Sequence, residues 1–305
     1  MFEVRHSDFG LRHSAGPWPA VTCVCPTYGR FACLRLALAG FLAQDYPGEK
    51  RLLILNDAPE PIRLPNAGTG NVFADIHADA FDAEVTRAVV VLNDKPGTHA
   101  NLGEKRQALL QASSTELAAH WDDDDLYLPW HLTRSVSALL ERDVGCVKSG
   151  GGWYMKGVLP SLSVRGPCHN VFEGTMVFGR DEALELGGYP PLHSGQAKAL
   201  MRAFKNAGRF HAIPDDYPGP SASSLKPPAC VSYVYRWANG LGHISSIGNQ
   251  AQAREKFRRA NRDFGNGAPL TPGDLAPYWR ALEPHIRRYA GAADPNRQSQ
   301  IGNRK

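Results

Sequence analysis

The chain has 305 residues, 43% of them hydrophobic and 21% charged, and a mild formal net charge of +4. That composition is ordinary for a soluble globular protein, and the length allows one sizeable α/β core plus extensions. No apolar run approaches the roughly 20 residues of a membrane span, and Glu3, Arg5, His6 and Asp8 interrupt any signal-peptide pattern, so a cytoplasmic protein is expected.

Residues 1–19 read as an N-terminal extension. Val21-Thr22-Cys23-Val24-Cys25-Pro26-Thr27-Tyr28 is then a short apolar, β-branched run stopped by Pro, the pattern of a buried strand. Phe31 to Gln44 carries Leu34, Leu38, Phe41 and Leu42 at helical spacing, and Asp45-Tyr46-Pro47-Gly48 ends it with a turn. Arg51-Leu52-Leu53-Ile54-Leu55 makes a second strand that closes at Asn56-Asp57-Ala58-Pro59. A strand, helix, strand unit with polar residues at both strand ends places a ligand beyond those ends.

The segment His120-Trp121-Asp122-Asp123-Asp124-Asp125-Leu126-Tyr127-Leu128-Pro129 sets four consecutive carboxylates between an apolar stretch and a Pro-marked turn. Such a cluster repels itself and calls for something cationic. Read as a strand end, Asp122 and Asp124 share one side and offer hard oxygen ligands to Mg²⁺ or Mn²⁺, leaving positions for phosphates. The plainer reading is a solvated acidic loop, the usual fate of a charge run.

Further on, Pro214 to Pro228 is rich in Pro, Ser and Gly and reads as a mobile loop or lid. Val231 to Trp237 alternates like a strand, and Ala238 to Ser245 is a Gly-rich loop. Residues 251–305 form a basic extension and tail, with Arg254, Lys256, Arg258, Arg259 and Arg262 in one helical stretch. A basic amphipathic helix can hold an enzyme on anionic lipid or nucleic acid, although most do neither. The six cysteines include no Cys-X-X-Cys pair, and Cys23, Cys25 and Cys146 read as reduced core thiols.

Together these segments resemble the GT-A glycosyltransferases of the nucleotide-diphospho-sugar transferase superfamily, most closely the family 2 type. The likeness is good over roughly residues 20–130, the donor half, and looser over 170–210, within an acceptor half taken as 131–250. Cys25-Pro26-Thr27-Tyr28-Gly29-Arg30 stands where the family has Pro-Thr-Tyr-Asn-Arg, and Leu55-Asn56-Asp57-Ala58 where it has a pair of Asp. The resemblance implies a mixed, mostly parallel α/β sheet flanked by helices. It makes Pro26, Thr27, Tyr28, Arg30, Asn56 and Asp57 candidates for the base and ribose of a nucleotide sugar, with UDP favoured. Asn101 to Gln107 matches the next signature, with Gln107 in place of the usual Asn, and brings Lys105 and Arg106 toward the phosphates; a basic pair opening a helix is ordinarily solvated, and Lys105 is read so by default. Asp122-Asp123-Asp124 falls on the metal-binding Asp-X-Asp, which assigns Asp122 and Asp124 to Mn²⁺ or Mg²⁺, leaves Asp123 near the sugar or diphosphate, and makes His243 a third metal ligand in the manner of many GT-A enzymes. Arg236 and Trp237 become contacts for diphosphate or acceptor.

The acceptor half departs from the pattern. Glu173 to Arg180 and Ala183 to Tyr189 look like the family's strand, helix and Gly-Gly-Tyr turn, after which an acidic pair supplies the general base. Here Gln196 and Ala197 occupy those places. Three explanations stand side by side: another base, a natural loss of activity, or an engineered substitution at 197. Another base would be His193 first and Glu173 second, while Ala197 standing in for the base of an intact site predicts that Ala197→Asp raises turnover by orders of magnitude. The implied activity is transfer of a hexose, with inversion, to a glycan, lipid-linked or small-molecule acceptor, nucleic acid being a minor option. The alternatives are a silent domain that binds nucleotide or glycan, and a nucleotidyltransferase, disfavoured because no Gly-rich phosphate loop follows the first strand.

Overall fold

The computed structural model describes residues 17–62, 87–156, 163–169, 173–214, 217 and 232–237. Strand β1 (Val21–Thr27) is buried at every residue, as its unbroken apolar pattern requires of a strand covered on both faces. Helix α1 (Phe31–Leu42) buries Leu34, Leu38 and Phe41 and delivers the chain to β2 (Lys50–Asn56), which pairs in parallel with β1 from Val21–Lys50 to Thr27–Asn56. The buried Gln44 amide fixes the end of α1, donating to the carbonyls of Gly40 and Leu128 (both 2.9 Å) and accepting from the Leu132 amide (3.0 Å).

The chain continues through β3 (Val89–Asn93), α2 (Leu102–Ala112), β4 (Leu117–His120), β5 (Leu126–Tyr127), α3 (His131–Arg142) and β6 (Cys146–Ser149). After β7 (Gly151–Lys156) and β8 (Ser163–His169) come a 3-10 turn (Glu173–Thr175), β9 (Val177–Gly179), α4 (Arg180–Glu185), α5 (Gln196–Asn206), β10 (Phe210–Ile213) and β11 (Tyr233–Trp237). Seven strands form the main sheet in the order β10-β6-β9-β4-β1-β2-β3, all parallel except β9. Four form a second sheet, β5-β11-β7-β8. The strand expected over 231–237 is thus present as Tyr233–Trp237, in the smaller sheet.

Successive strands add to the right of β1 as β2 and β3, whereas β4 adds to its left, so β1 and β4 flank the point where the strand order reverses. A crevice opens there at the carboxyl ends of the strands, the ordinary ligand position in an open α/β sheet. Pairing of β1 with β4 stops at Val24–His120, so Pro26 sits where that ladder has already ended and its missing N–H costs nothing on that side.

Apolar clusters hold the layers together: one joins α1, β1, β2, Trp121, Tyr127 and α3, another joins Phe178, Ala183, Tyr189 and the buried face of α5, and Val24, Leu53, Leu55 and Leu109 join α2 to β1 and β2. Cys23, Cys25, Cys33 and Cys146 are buried thiols outside any disulfide among the described residues. No helix among the described residues is long and apolar enough to cross a membrane.

Candidate functional site

The four aspartates do not lie on a strand. β4 closes at His120, and Asp122 to Asp125 form a tight turn in which the Asp125 amide donates to the Asp122 carbonyl (3.4 Å), so the alternation expected for Asp122 and Asp124 does not apply. The turn is not solvated either: Asp123 is fully buried, and Asp124 and Asp125 are nearly so. Its floor is aromatic. Tyr127 stacks on Trp121 at 3.9 Å between ring centroids and donates its hydroxyl to the Gly174 carbonyl (2.9 Å), while Tyr233 donates to Asp125.

The carboxylates are met by groups from other elements. Arg30, in the loop after β1, donates to both oxygens of Asp123 and through Nη1 to Asp124 Oδ2 (2.6 Å). Thr27 Oγ1 donates to Asp123 Oδ2 (2.6 Å). Arg106 pairs with Asp122, and Lys105 with Asp57 while also donating to the Thr27 carbonyl (2.5 Å). Lys105 and Arg106 are each 6% exposed, which corrects the expectation of a solvated basic pair. They stay buried because α2 packs its first turn into the crevice: Asn101 caps it by accepting from the Glu104 amide (3.0 Å), Glu104 returns the bond to Ala100 N (2.8 Å), and Gly103 donates to Leu192 O (3.0 Å). A Cβ at Gly103 would lie 2.0 Å from the Pro190 carbonyl oxygen, so only glycine permits this approach.

Burial dominates the electrostatics. It pushes Asp123 up to about 7 against the pull of Arg30, with Asp124 and Asp122 adding repulsion. Burial also works against the charge on Asp122 and Arg106, yet their mutual attraction prevails and each is held more firmly ionised than usual. Burial lowers Lys105 despite Asp57. His120, buried beside Arg106, falls to about 3 and stays neutral; Nδ1 meets the Glu173 carbonyl (2.7 Å) and Nε2 meets the Tyr189 hydroxyl.

The remaining candidates fall into three groups. Tyr28 is exposed at the mouth of the crevice with Lys105 Nζ 5.9 Å from its ring centre, a position open to a ligand. Pro26 and Asn56 build the crevice wall: the fully buried Asn56 amide accepts from Ala58 N (3.3 Å) and donates to Glu60 O (2.9 Å) and Asn93 Oδ1 (3.2 Å). Farther along the chain, Gln196 and Ala197 are buried on the first turn of α5, Ala197 within the apolar cluster of Tyr189, Leu200 and Met201, while His193 is exposed in the preceding loop. Glu173 is half-buried in the 3-10 turn against the aspartates. His243, the basic stretch from Arg254 and the side chains of Arg236 and Trp237 lie outside what the structure describes.

Sequence reasoning missed the fixed role of Gln107, whose Oε1 accepts from the Tyr189 amide (2.8 Å) and so ties α2 to the Gly-Gly-Tyr turn. It also missed Arg134, buried on α3, which donates to Ser149 Oγ and to the carbonyls of Pro214 and Tyr217. The signal available for Arg134 was a lone basic residue on the apolar stripe of a helical pattern.

No family model matches the sequence, and no curated protein matches it. Among solved structures, S. aureus TarS 1–349 in complex with UDP-GlcNAc aligns over 92% of this chain and 70% of that one, with 15% identity and a TM-score of 0.50. The chain has the GT-A fold. A longer S. aureus TarS chain, of which this one covers 46%, aligns with a TM-score of 0.47 and 15% identity. The mannosyltransferase PcManGT from Pyrobaculum calidifontis, in complex with GDP-Man and Mn²⁺, aligns over 94% of this chain and 82% of that one, with 17% identity and a TM-score of 0.48. Within the GT-A fold of this chain, the carboxyl ends of β1 and β4 are where Arg30, Arg106 and the Asp122–Asp125 turn meet.

Proposed function

We propose that the chain transfers a sugar from a nucleoside diphosphate sugar, with a UDP-sugar favoured, to an acceptor hydroxyl, with inversion. The observation that carries this reading is the meeting of Thr27, Arg30, Asp57, Lys105 and Arg106 with the Asp122–Asp125 turn at the reversal point of the sheet. A diphosphate needs fixed positive charge and a divalent ion, and this edge offers guanidinium groups and hard carboxylate oxygens together. The GT-A fold supports the reading, and the UDP-GlcNAc held by the TarS structure makes a UDP-sugar the first donor to try.

Among the described residues no group of three His, Cys, Asp or Glu gathers as a metal site. Two carboxylates are nevertheless sufficient when substrate phosphates complete the shell, as is usual for Mg²⁺. Asp122 and Asp124 would hold the ion, which as a Lewis acid stabilises the negative charge of the departing nucleoside diphosphate. Arg30 lies between Asp123 and Asp124, so binding at Asp124 exchanges one of its partners while Asp123 retains it. Arg106 keeps Asp122 ionised and oriented. Thr27 and Arg30 hold Asp123 in place, and Tyr28 offers an exposed ring to the nucleobase.

Incubation with UDP-GlcNAc and with GDP-mannose in the presence of Mn²⁺, followed by analysis of the phosphorus products, tests the reading. Release of UDP or GDP is expected. Release of pyrophosphate would instead mark a nucleotidyltransferase, and tight binding with no product would mark a silent binding domain.

A further inference from the structure

The acceptor side lacks an acid where one is needed. Gln196 is an amide, Ala197 lies in an apolar cluster, and the buried face of α5 (Gln196, Ala197, Leu200, Met201, Phe204) carries no ionisable group. One carboxylate stands beside the acidic turn without belonging to it. The Glu173 backbone is locked there: its carbonyl accepts from His120 Nδ1 (2.7 Å) and from the Met176 amide (3.2 Å), the next carbonyl accepts from Tyr127, and Thr175 Oγ1 accepts from Ser149 N (3.0 Å). A Cβ at Gly174 would lie 3.0 Å from Asp122 Oδ2, so the turn abuts the proposed phosphate end of the crevice.

Three strands, β4, β5 and β6, therefore fix the turn that carries Glu173, while among the described residues its carboxylate makes no hydrogen bond and no ion pair. Lys148 supplies the complementary charge. It is 3% exposed on β6, has no ion pair among the described residues, and its principal favourable electrostatic interaction is with Glu173. The other charged or titratable groups around the turn are His120 on β4, Asp122 in the acidic turn, Tyr127 on β5 and Tyr233 on β11. A carboxylate carried on a fixed turn, partly shielded from water, facing a buried ammonium and left unbonded is suited to accept a proton.

We propose that Glu173 is the proton acceptor for the incoming hydroxyl, replacing the acid absent at positions 196 and 197. This rests on the transferase reading above. In the step, a lone pair of the acceptor oxygen forms the bond to the anomeric carbon. The bond from that carbon to the phosphate oxygen breaks, and its electron pair leaves with the nucleoside diphosphate. The acceptor O–H bond gives its proton to the Glu173 carboxylate, and the new glycosidic oxygen is left neutral.

Water serves as the probe acceptor. Hydrolysis of UDP-GlcNAc and of GDP-mannose is followed with Mn²⁺ present, alongside calorimetric binding of UDP and GDP. Glu173→Gln is expected to lower hydrolysis about 100-fold or more while nucleotide affinity stays unchanged, because the main chain holds the turn; the thermal unfolding temperature falls, since Lys148 loses its counter-charge. Formate is expected to restore hydrolysis at least in part to Glu173→Ala, a rescue that a merely structural carboxylate would not show. A Glu173→Gln rate within threefold of the original, or a gain of orders of magnitude in Ala197→Asp, overturns the assignment and leaves the transferase reading standing. Wild-type protein that binds neither nucleotide removes both.

Discussion

The two faces of the crevice solve opposite problems. On the donor face, Arg30, Lys105 and Arg106 are buried against Asp57, Asp122, Asp123 and Asp124, so nearly every contact is charged and doubly determined. On the face proposed for the acceptor, α5 and the Gly-Gly-Tyr turn close over an apolar cluster, and Glu173 and Lys148 are the charged groups beside the acidic turn. A diphosphate has a fixed charge pattern that repays such preorganisation, whereas a hydroxyl acceptor needs one base and a shaped surface. Damage to the donor face should therefore register first as lost stability, and damage to the acceptor face as lost rate.

The largest stability effect should come from Arg30→Ala, which strands the buried Asp123 carboxylate. Denaturant unfolding at pH 8 should show a loss of about 3 to 5 kcal/mol, shrinking at pH 5 where Asp123 takes up a proton instead. A loss below 1 kcal/mol at pH 8 would mean that this face is not organised by its ion pairs. Next, Gly103→Ala should cost about 1 to 3 kcal/mol, since the new Cβ meets backbone rather than a movable side chain. A neutral Gly103→Ala would show that the two faces are not locked together through α2.

Acid should expose the same contrast. Folded His120 and His131 are held near 3 by burial, whereas the unfolded chain protonates both below about 6.5, so each removes stability as pH falls. Asp123 acts in the opposite sense: its folded carboxyl keeps a proton up to about 7 and its unfolded one only below about 4, so it adds stability as pH falls through that window. Two histidines outweigh one carboxyl, and the net loss between pH 7 and pH 5 should be about 1.5 kcal/mol. Asp123→Asn should steepen it to about 4 kcal/mol. A shallower profile in that variant would sink the assignment of Asp123. The smallest effect expected is that of Gln107→Ala, which loses one bond to the Tyr189 amide and should cost about 1 kcal/mol with little change in nucleotide affinity.

What could be read in the sequence divides along the same line. β1, α1 and β2 were legible because their apolar patterns are fixed by local burial: Leu34, Leu38 and Phe41 are fully buried, as their spacing predicts. The need for cations beside the aspartates was legible from charge repulsion alone. Which cations answer it was not, because Arg30 reaches Asp123 across 93 residues and Arg106 reaches Asp122 from another element. Strand alternation misplaced Asp122 and Asp124 since β4 ends two residues earlier, where pairing with β1 stops. The solvated reading of Lys105 failed for a related reason: helix-opening lysines are exposed unless something covers them, and the cover here is supplied by Asp57, Thr27 and the segment around Pro190.

The most direct measurement is calorimetric titration of UDP, GDP, TDP and CDP with and without Mn²⁺, on the wild-type chain and on Asp124→Asn. The account predicts that one nucleotide binds only with the metal present and that Asp124→Asn weakens it at least about tenfold, roughly the effect of one lost charge-assisted contact. Failure of all four to bind with Mn²⁺ present, or equal affinity in the variant, would contradict a donor site at the aspartate turn.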